Sequence, residues 1–438
     1  MKKALILTYY WPPSGGAGVQ RWLKFAKYIR NFGWEPVIYT PQNPEFPEHD
    51  ESLYKDIPKE ITIIKTPIRE PYSAYKHFIG QKKDIKINAG FLSENKKKKF
   101  TENLAVWIRG NFFIPDARKF WIKPSVAYLK TYLTKNPVDV IISTGPPHSL
   151  HLIALKISKL FALPWLADFR DPWTNIDFYN DLMLTRHSDR KHHLMEREVL
   201  MNASAVSVIS RSMAEDFNAI FQRNYEVITN GYDTDDVESA IEIKQDEKFS
   251  IAHIGTMTKT RNPIILWKVL SELVNEEEGF AHDLEIKLVG KADFTVWNAL
   301  DESGLRPFVS KIDYLPHSEV TRMQQKSQVL LLLINNTPNA KVILTGKFFE
   351  YLAARRPILC IGPEDGDAAQ ILKETHAGRI AGFDDMEKTK QNILSFYHDY
   401  KKGKLLSDAS GIEQYSRKEL TGKLAETLNK IANIKNKA

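Results

Sequence analysis

The stretch Tyr9-Tyr-Trp-Pro-Pro-Ser-Gly-Gly-Ala-Gly-Val-Gln-Arg-Trp-Leu-Lys-Phe25 follows an apolar run, Ala4 to Leu7. It leads into a pattern that puts Val19, Trp22, Leu23, Ala26 and Ile29 on one helical face. The segment therefore reads as strand, glycine-rich loop, helix. Glycines at such a turn let a ligand approach the backbone, and a helix N-terminus offers free N–H groups to an anion. A tight turn needing positive φ explains the same glycines, so both readings stand. The dinucleotide fingerprint G-x-G-x-x-G does not fit, because Arg21 stands where its third glycine belongs.

Working outward, the same alternation runs through most of the chain. Apolar strands are expected at Ala4–Leu7, Pro36–Tyr39, Ile61–Ile64, Val138–Ser143, Pro164–Asp168 and Ala205–Ile209. After an acidic, polar stretch that begins at Thr229-Asn-Gly-Tyr-Asp233, a second series follows at Ser250–Ile254, Leu284–Val289, Val309–Tyr314, Val329–Ile334 and Pro357–Ile361. Helical patterns lie between most of them. Short apolar strands separated by helices imply parallel sheets covered on both faces. The fold class is therefore α/β, with two doubly wound Rossmann-like domains facing an interdomain cleft. Their boundaries are read as 1–230 and 231–405, followed by a C-terminal helical segment, 406–438.

Ligands of open α/β sheets bind beyond the carboxyl ends of the strands, so the loops there name the candidate site. Gly15, Gly16 and Gly18 occupy the first. Ser143-Thr-Gly-Pro-Pro-His-Ser149 holds His148 beside the start of a helix that Ser149 can cap. Leu166-Ala-Asp-Phe-Arg-Asp-Pro-Trp173 packs Asp168, Arg170 and Asp171 together, either as an ion pair fixing the loop or as ligands for hydroxyl groups. In the second half, Gly255 is followed by Lys259 and Arg261. Leu344-Thr-Gly-Lys-Phe-Phe-Glu350 then opens a helix at Gly346, after Thr345. Lysine in a first helical turn opposes the helix dipole, so Lys347 points to a bound anion. Glu350, three residues on and on the same face, can accept from ribose hydroxyls. Cations and a helix start for a diphosphate, with hydroxyl-binding loops in the other half, describe nucleotide-sugar chemistry.

Composition restricts the alternatives. The 438 residues carry a net charge of +7, and residues 76–130 hold 13 Lys or Arg against 4 Asp or Glu. Lys96–Lys99 lie there among Phe100, Trp107, Phe112, Phe113, Phe120 and Trp121. Such a mixture suits either an anionic membrane surface or a solvated loop and an ordinary amphipathic helix. No nucleic-acid motif accompanies it, so no nucleic-acid partner is expected. The single cysteine, Cys360, sits in an apolar strand, which predicts a buried thiol and suits a reducing compartment. No apolar stretch approaches the ~20 residues that span a bilayer. A cytoplasmic protein is expected, peripheral to the inner face of the membrane if the basic segment docks there.

On these motifs the chain resembles the GT-B glycosyltransferases, in particular the retaining family 4 (glycosyl transferase group 1), over nearly its whole length. The matching residues are Ser14-Gly-Gly-Ala-Gly18, Gly255 with a cation at Arg261, and Glu350 at the second position of the family's E-x7-E motif. Its first glutamate is replaced by Val342, and the usual arginine after Gly255 by Thr256. The resemblance implies a metal-independent, hexosyltransferase-type enzyme without a cofactor, and a final helix, which Tyr415–Leu424 resembles, that returns to the first domain. Such an enzyme would move a sugar from a nucleotide-sugar donor to a sugar or lipid-linked sugar acceptor, in cell-surface polysaccharide or glycolipid assembly. Arg261 and Lys347 would neutralise the departing diphosphate, while His148 and Asp168 would orient sugar and acceptor. A nucleotide-sugar 2-epimerase and a non-catalytic nucleotide-sugar-binding protein are the alternatives. Asp233-Thr-Asp235 spells D-x-D, but in a turn rather than at a strand end. His192-His193 reads as helix surface.

Overall fold

The computed structural model describes residues 1–45, 49–70, 100–236, 243–313, 315 and 317–435. The chain divides into two compact units, one of residues 1–229 with 420–438 and the other of residues 230–419.

The first unit is built on β1 (Lys2–Leu7), β2 (Trp34–Pro41), β3 (Thr62–Thr66), β4 (Val140–Gly145), β5 (Trp165–Phe169), β6 (Ala205–Val208) and β7 (Glu226–Val227). They form one sheet in the order β3-β2-β1-β4-β5-β6-β7, with parallel pairing throughout. Helix α1 (Ala17–Tyr28) lies on one face. Its predicted stripe, Val19, Trp22, Leu23 and Ala26, is fully buried with Ala4 and Ile6 of β1 and Ile142 of β4. Helices α2 (Phe100–Phe112), α3 (Lys119–Lys135), α4 (Ser149–Phe161), α5 (Arg186–Asn202) and α6 (Arg211–Ile220) complete the unit. Leu129, Ile153, Val199 and Phe217 of α3 to α6 build the core on the other face.

The second unit repeats the plan with β8 (Phe249–Ile254), β9 (Leu284–Val289), β10 (Val309–Ile312), β11 (Val329–Leu333), β12 (Ile358–Ile361) and β13 (Gly378–Ala381). The order is β10-β9-β8-β11-β12-β13, again parallel. Its principal helices are α7 (Ile264–Glu276), α8 (Phe294–Glu302), α9 (His317–Lys326), α10 (Gly346–Ala353), α11 (Asp367–Thr375) and α12 (Met386–Lys401). Cys360 is fully buried on β12, and burial pushes its thiol up to about 12. The final helix, α13 (Arg417–Lys435), contributes Leu420, Leu424 and Leu428 to the α1 face of the first unit.

Differences from the sequence expectation have local causes. β13 carries only Ile380 and Ala381 as buried apolar residues, too few for a strand signal. His192 is buried, contrary to its surface reading, because α5 turns Ser188, His192, Glu196 and Val199 inward at helical spacing. Ser149 does not act as the cap of α4. His148 is the cap residue, and the carboxylate of Asp116, from the α2–α3 connection, takes the Ser149 amide at 2.8 Å and its hydroxyl at 2.7 Å. Lys96–Lys99 and the side chain of Phe100 lie outside the described residues.

Candidate functional site

In the second unit the carboxyl ends of β8 and β9 end in glycines held at positive φ, Gly255 at 120° and Gly290 at 104°. A Cβ on Gly290 would come within 3.2 Å of the Gly255 backbone. One on Gly255 would lie 2.5 Å from Lys347 Nζ. Glycine at 255 therefore serves two purposes: it adopts a conformation other residues resist, and it leaves room for an ammonium reaching over from α10.

Lys347 makes no hydrogen bond or ion pair with any described residue. Burial, and then the neighbouring Arg261 guanidinium, push its pKa down to about 7 against the pull of Glu350. Arg261 is held in place by Asn335 through Nε and by the Thr256 carbonyl at 3.3 Å. Glu350 accepts from Gln324 Nε2 at 3.3 Å. Thr345 precedes α10 without capping it, and its hydroxyl is buried with no hydrogen-bond partner. Nothing lies within 4 Å of where a Cβ on Gly346 would stand, so the helix start is open. His253, buried beneath, bonds the Leu331 carbonyl through Nδ1 at 3.0 Å, and burial followed by the Lys347 charge holds it neutral. Two cations beside an uncapped helix N-terminus, with a buried hydroxyl unpaired, form a positive site that suits a phosphate or diphosphate.

In the first unit the loops after β1, β4 and β5 meet. Arg170 donates to the Gly18 carbonyl at 2.9 Å and to the Pro146 carbonyl, so one guanidinium ties all three. A Cβ on Gly18 would stand 3.1 Å from that guanidinium and 3.0 Å from the Tyr10 ring, which makes Gly18 a packing glycine. Gly15 is buried, whereas Gly16 is exposed with φ of 84° as the cap residue of α1. Gly16 is thus the glycine of the loop that a ligand can reach. His148 is 7% exposed and stacks on Trp173, with ring centroids 4.4 Å apart and planes within 3°. Burial drives its pKa well down, so the imidazole is neutral.

Asp168 departs from its expected role. It is buried, and its carboxylate accepts from Arg21 Nη2 at 2.8 Å, Arg21 Nε at 3.2 Å, Trp22 Nε1 at 2.7 Å, Thr144 at 3.0 Å and Ser207 at 2.8 Å. With its lone pairs engaged by protein, it is an anchor and not a hydroxyl ligand. The carboxylate at the surface of the same loop is Asp171, which makes no hydrogen bond or ion pair with a described residue. In the sequence Arg21 stands out only as a missing glycine, because its partner lies 147 residues away. Gly290 did carry a signal, a glycine directly after a strand.

Asp233 is buried, and its carboxylate accepts from the Asp235 amide at 3.3 Å, a local turn contact. Among the described residues no three His, Cys, Asp or Glu side chains gather as a metal-binding group.

No protein-family model and no curated protein matches the chain. Solved structures do match it along its length. HepE of Anabaena, in complex with UDP, aligns at 13% identity with a TM-score of 0.61, over 98% of this chain and 100% of that one. WaaG, a glycosyltransferase involved in lipopolysaccharide biosynthesis, aligns at 14% identity with a TM-score of 0.51 over 99% of each chain. A Listeria monocytogenes protein assigned as a UDP-N-acetylglucosamine 2-epimerase aligns at 9% identity with a TM-score of 0.54, over 99% of this chain and 97% of that one. The likeness establishes the fold, the two-sheet α/β architecture called GT-B.

Proposed function

We propose that the chain is a retaining glycosyltransferase of family 4 that moves a sugar from a nucleoside-diphosphate donor to an acceptor hydroxyl. The observation that carries this reading is Lys347, an ammonium without a protein partner beside Arg261 at the open start of α10. A charge without a direct protein partner is stabilised by the ligand it awaits, and developing negative charge on a departing diphosphate is what a glycosyl transfer must neutralise. The HepE complexes with UDP and UDP-glucose support the same assignment of ligand class.

In this reading Arg261, Lys347, Thr345 and the amide at Gly346 hold the diphosphate, and Glu350 takes the ribose. Gly16 faces phosphate or acceptor. His148 meets the donor sugar, and Asp171, in place of Asp168, meets the acceptor. The anomeric carbon–oxygen bond to the diphosphate breaks as the acceptor oxygen bonds that carbon from the same face. The acceptor proton passes to a departing phosphate oxygen, so no protein nucleophile and no metal ion is required. The acceptor is a sugar or lipid-linked sugar of cell-surface polysaccharide or glycolipid assembly, reached from the cytoplasmic side. Phe112 and Phe120, 59% and 52% exposed, support an approach of the basic segment to an anionic membrane surface.

Val342, in the turn Ala340–Val342 where the family has its first glutamate, favours a second reading: a protein that binds the donor without turning it over. Nucleotide-activated sugars screened by thermal shift, followed by a radiolabelled transfer assay with and without EDTA, decide between them. Transfer product that survives EDTA is the expected result. Binding without product would make the chain a binding protein, and a changed sugar released without acceptor would make it an epimerase.

A further inference from the structure

Behind His148 lies a second buried imidazole, His151, one turn along α4. Its Nδ1 is 2.8 Å from the Ser143 hydroxyl, and that hydroxyl also receives Trp165 Nε1–H at 2.8 Å. Among the described residues Ser143 Oγ has no other partner. The indole can only donate, so Ser143 accepts there, and its own proton has one acceptor left, His151 Nδ1. The arrangement that satisfies the Ser143 proton is therefore the one with the His151 proton on Nε2.

His151 Nε2 is buried and has no hydrogen-bond partner, and neither has His148 Nδ1. A Cβ on Gly145 would stand 2.5 Å from the first and 2.9 Å from the second. The two nitrogens therefore converge on the same side of one glycine Cα, a space that only glycine leaves open. A buried N–H donor facing an unpaired nitrogen lone pair is a complementary pair, and leaving either unsatisfied is costly. Burial dominates for both rings: at His148 the neighbouring His151, His192 and Arg170 act in the same direction, and at His151 the Asp168 carboxylate opposes it while Arg170 adds to it. Both imidazoles are therefore neutral.

We propose that His151 is a positioning residue: it donates Nε2–H to His148 Nδ1 through one buried water, and so holds the proton of His148 on Nε2. The relay runs Trp165, Ser143, His151, His148. It makes His148 a hydrogen-bond donor toward the ligand, not a general base. The inference rests on reading His148 as the side chain that meets the sugar, yet its test needs no ligand.

Two-bond nitrogen–proton correlation spectra of the full chain, labelled with 15N-histidine and assigned with His148→Gln and His151→Gln variants, read the tautomers directly. The expected spectrum has a protonated Nε2 and a bare Nδ1 for both residues. In Ser143→Ala both residues should lose the single tautomer, and in His151→Phe His148 alone should. A wild-type His148 with its proton on Nδ1, or divided between both nitrogens, overturns the relay even if neither variant folds. So does an unchanged His148 pattern in a folded His151→Phe protein. Failure of the transfer assay, by contrast, would bear on the proposed function and leave the spectrum untouched.

Discussion

A lysine held at a pKa of about 7 is a charge kept at a cost. Its ordinary value is near 10.4, so between about pH 7 and 10 the unfolded chain binds the proton that the folded chain releases. The sign follows: this group depresses folded stability at and below neutral pH, and the penalty fades as pH rises through that window. Lys347→Met is therefore expected to raise the melting temperature of the ligand-free protein at pH 7 by about 2–4 °C per kcal/mol recovered. The same variant, and Arg261→Ala, should cut turnover by about 10²-fold or more while remaining folded. Calorimetry and steady-state kinetics on the two variants check both statements. A second consequence concerns affinity. A diphosphate needs the ammonium form, so above pH 7 binding must take up a proton, and nucleotide affinity should fall with rising pH. Titration calorimetry in buffers of different ionisation heat reads that uptake, which Lys347→Met should remove. Lys347 was legible in the sequence because lysine in a first helical turn contradicts the dipole. Its lack of a partner was not, since partners come from the fold.

At the scale of elements, Asp168 does what no sequence motif announced. One carboxylate at the end of β5 joins Arg21 and Trp22 of α1, Thr144 of β4 and Ser207 of β6, while Arg21 continues to the Ile228 and Thr229 carbonyls after β7. Burial alone would raise its pKa, but Arg21 and the hydrogen bonds from Arg21, Trp22 and Ser207 outweigh it and hold the carboxyl below its usual range. Removing one partner of a buried pair leaves the other uncompensated, at about 3–5 kcal/mol. Asp168→Ala should destabilise the first unit by that order in denaturant titration. An Arg21→Met, Asp168→Leu double variant should recover part of it. Because the folded pKa is depressed, the contribution is present above about pH 4 and is lost as pH falls through the folded value. Most strands were readable from apolar runs separated by helical patterns, and the α1 stripe was buried as spaced. β13 and the capping of α4 by Asp116 were not readable. One has too few apolar residues, and the other depends on a carboxylate 33 positions away.

At the scale of the molecule, the chain order of the units is not their composition. Residues 420–438 come last in sequence yet belong to the unit that begins at Met1. Leu420, Leu424, Leu428 and Ile431 are buried with Trp22, Leu23 and Trp34, and Gly422 gives Phe32 a place where a Cβ would stand 3.1 Å from its ring. Each fully buried leucine or isoleucine contributes about 1.5–3 kcal/mol relative to exposure, so together they amount to a large fraction of the stability of an ordinary domain. A chain cut after Glu419 is therefore expected to lose its first unit and keep its second. Hydrogen exchange read by mass spectrometry should show protection collapsing in β1, β2 and α1, while β8, β11 and β12 stay protected. The second unit keeps its own sheet and its own apolar cores, one around Phe348 and Leu352 and the other around Trp267 and Leu270, so nucleotide binding at Lys347 should survive the cut although transfer should not. Equal loss of protection in both units would mean that the two fold as one cooperative body. Unchanged protection in β1 would mean that the helix lies on a face already closed without it.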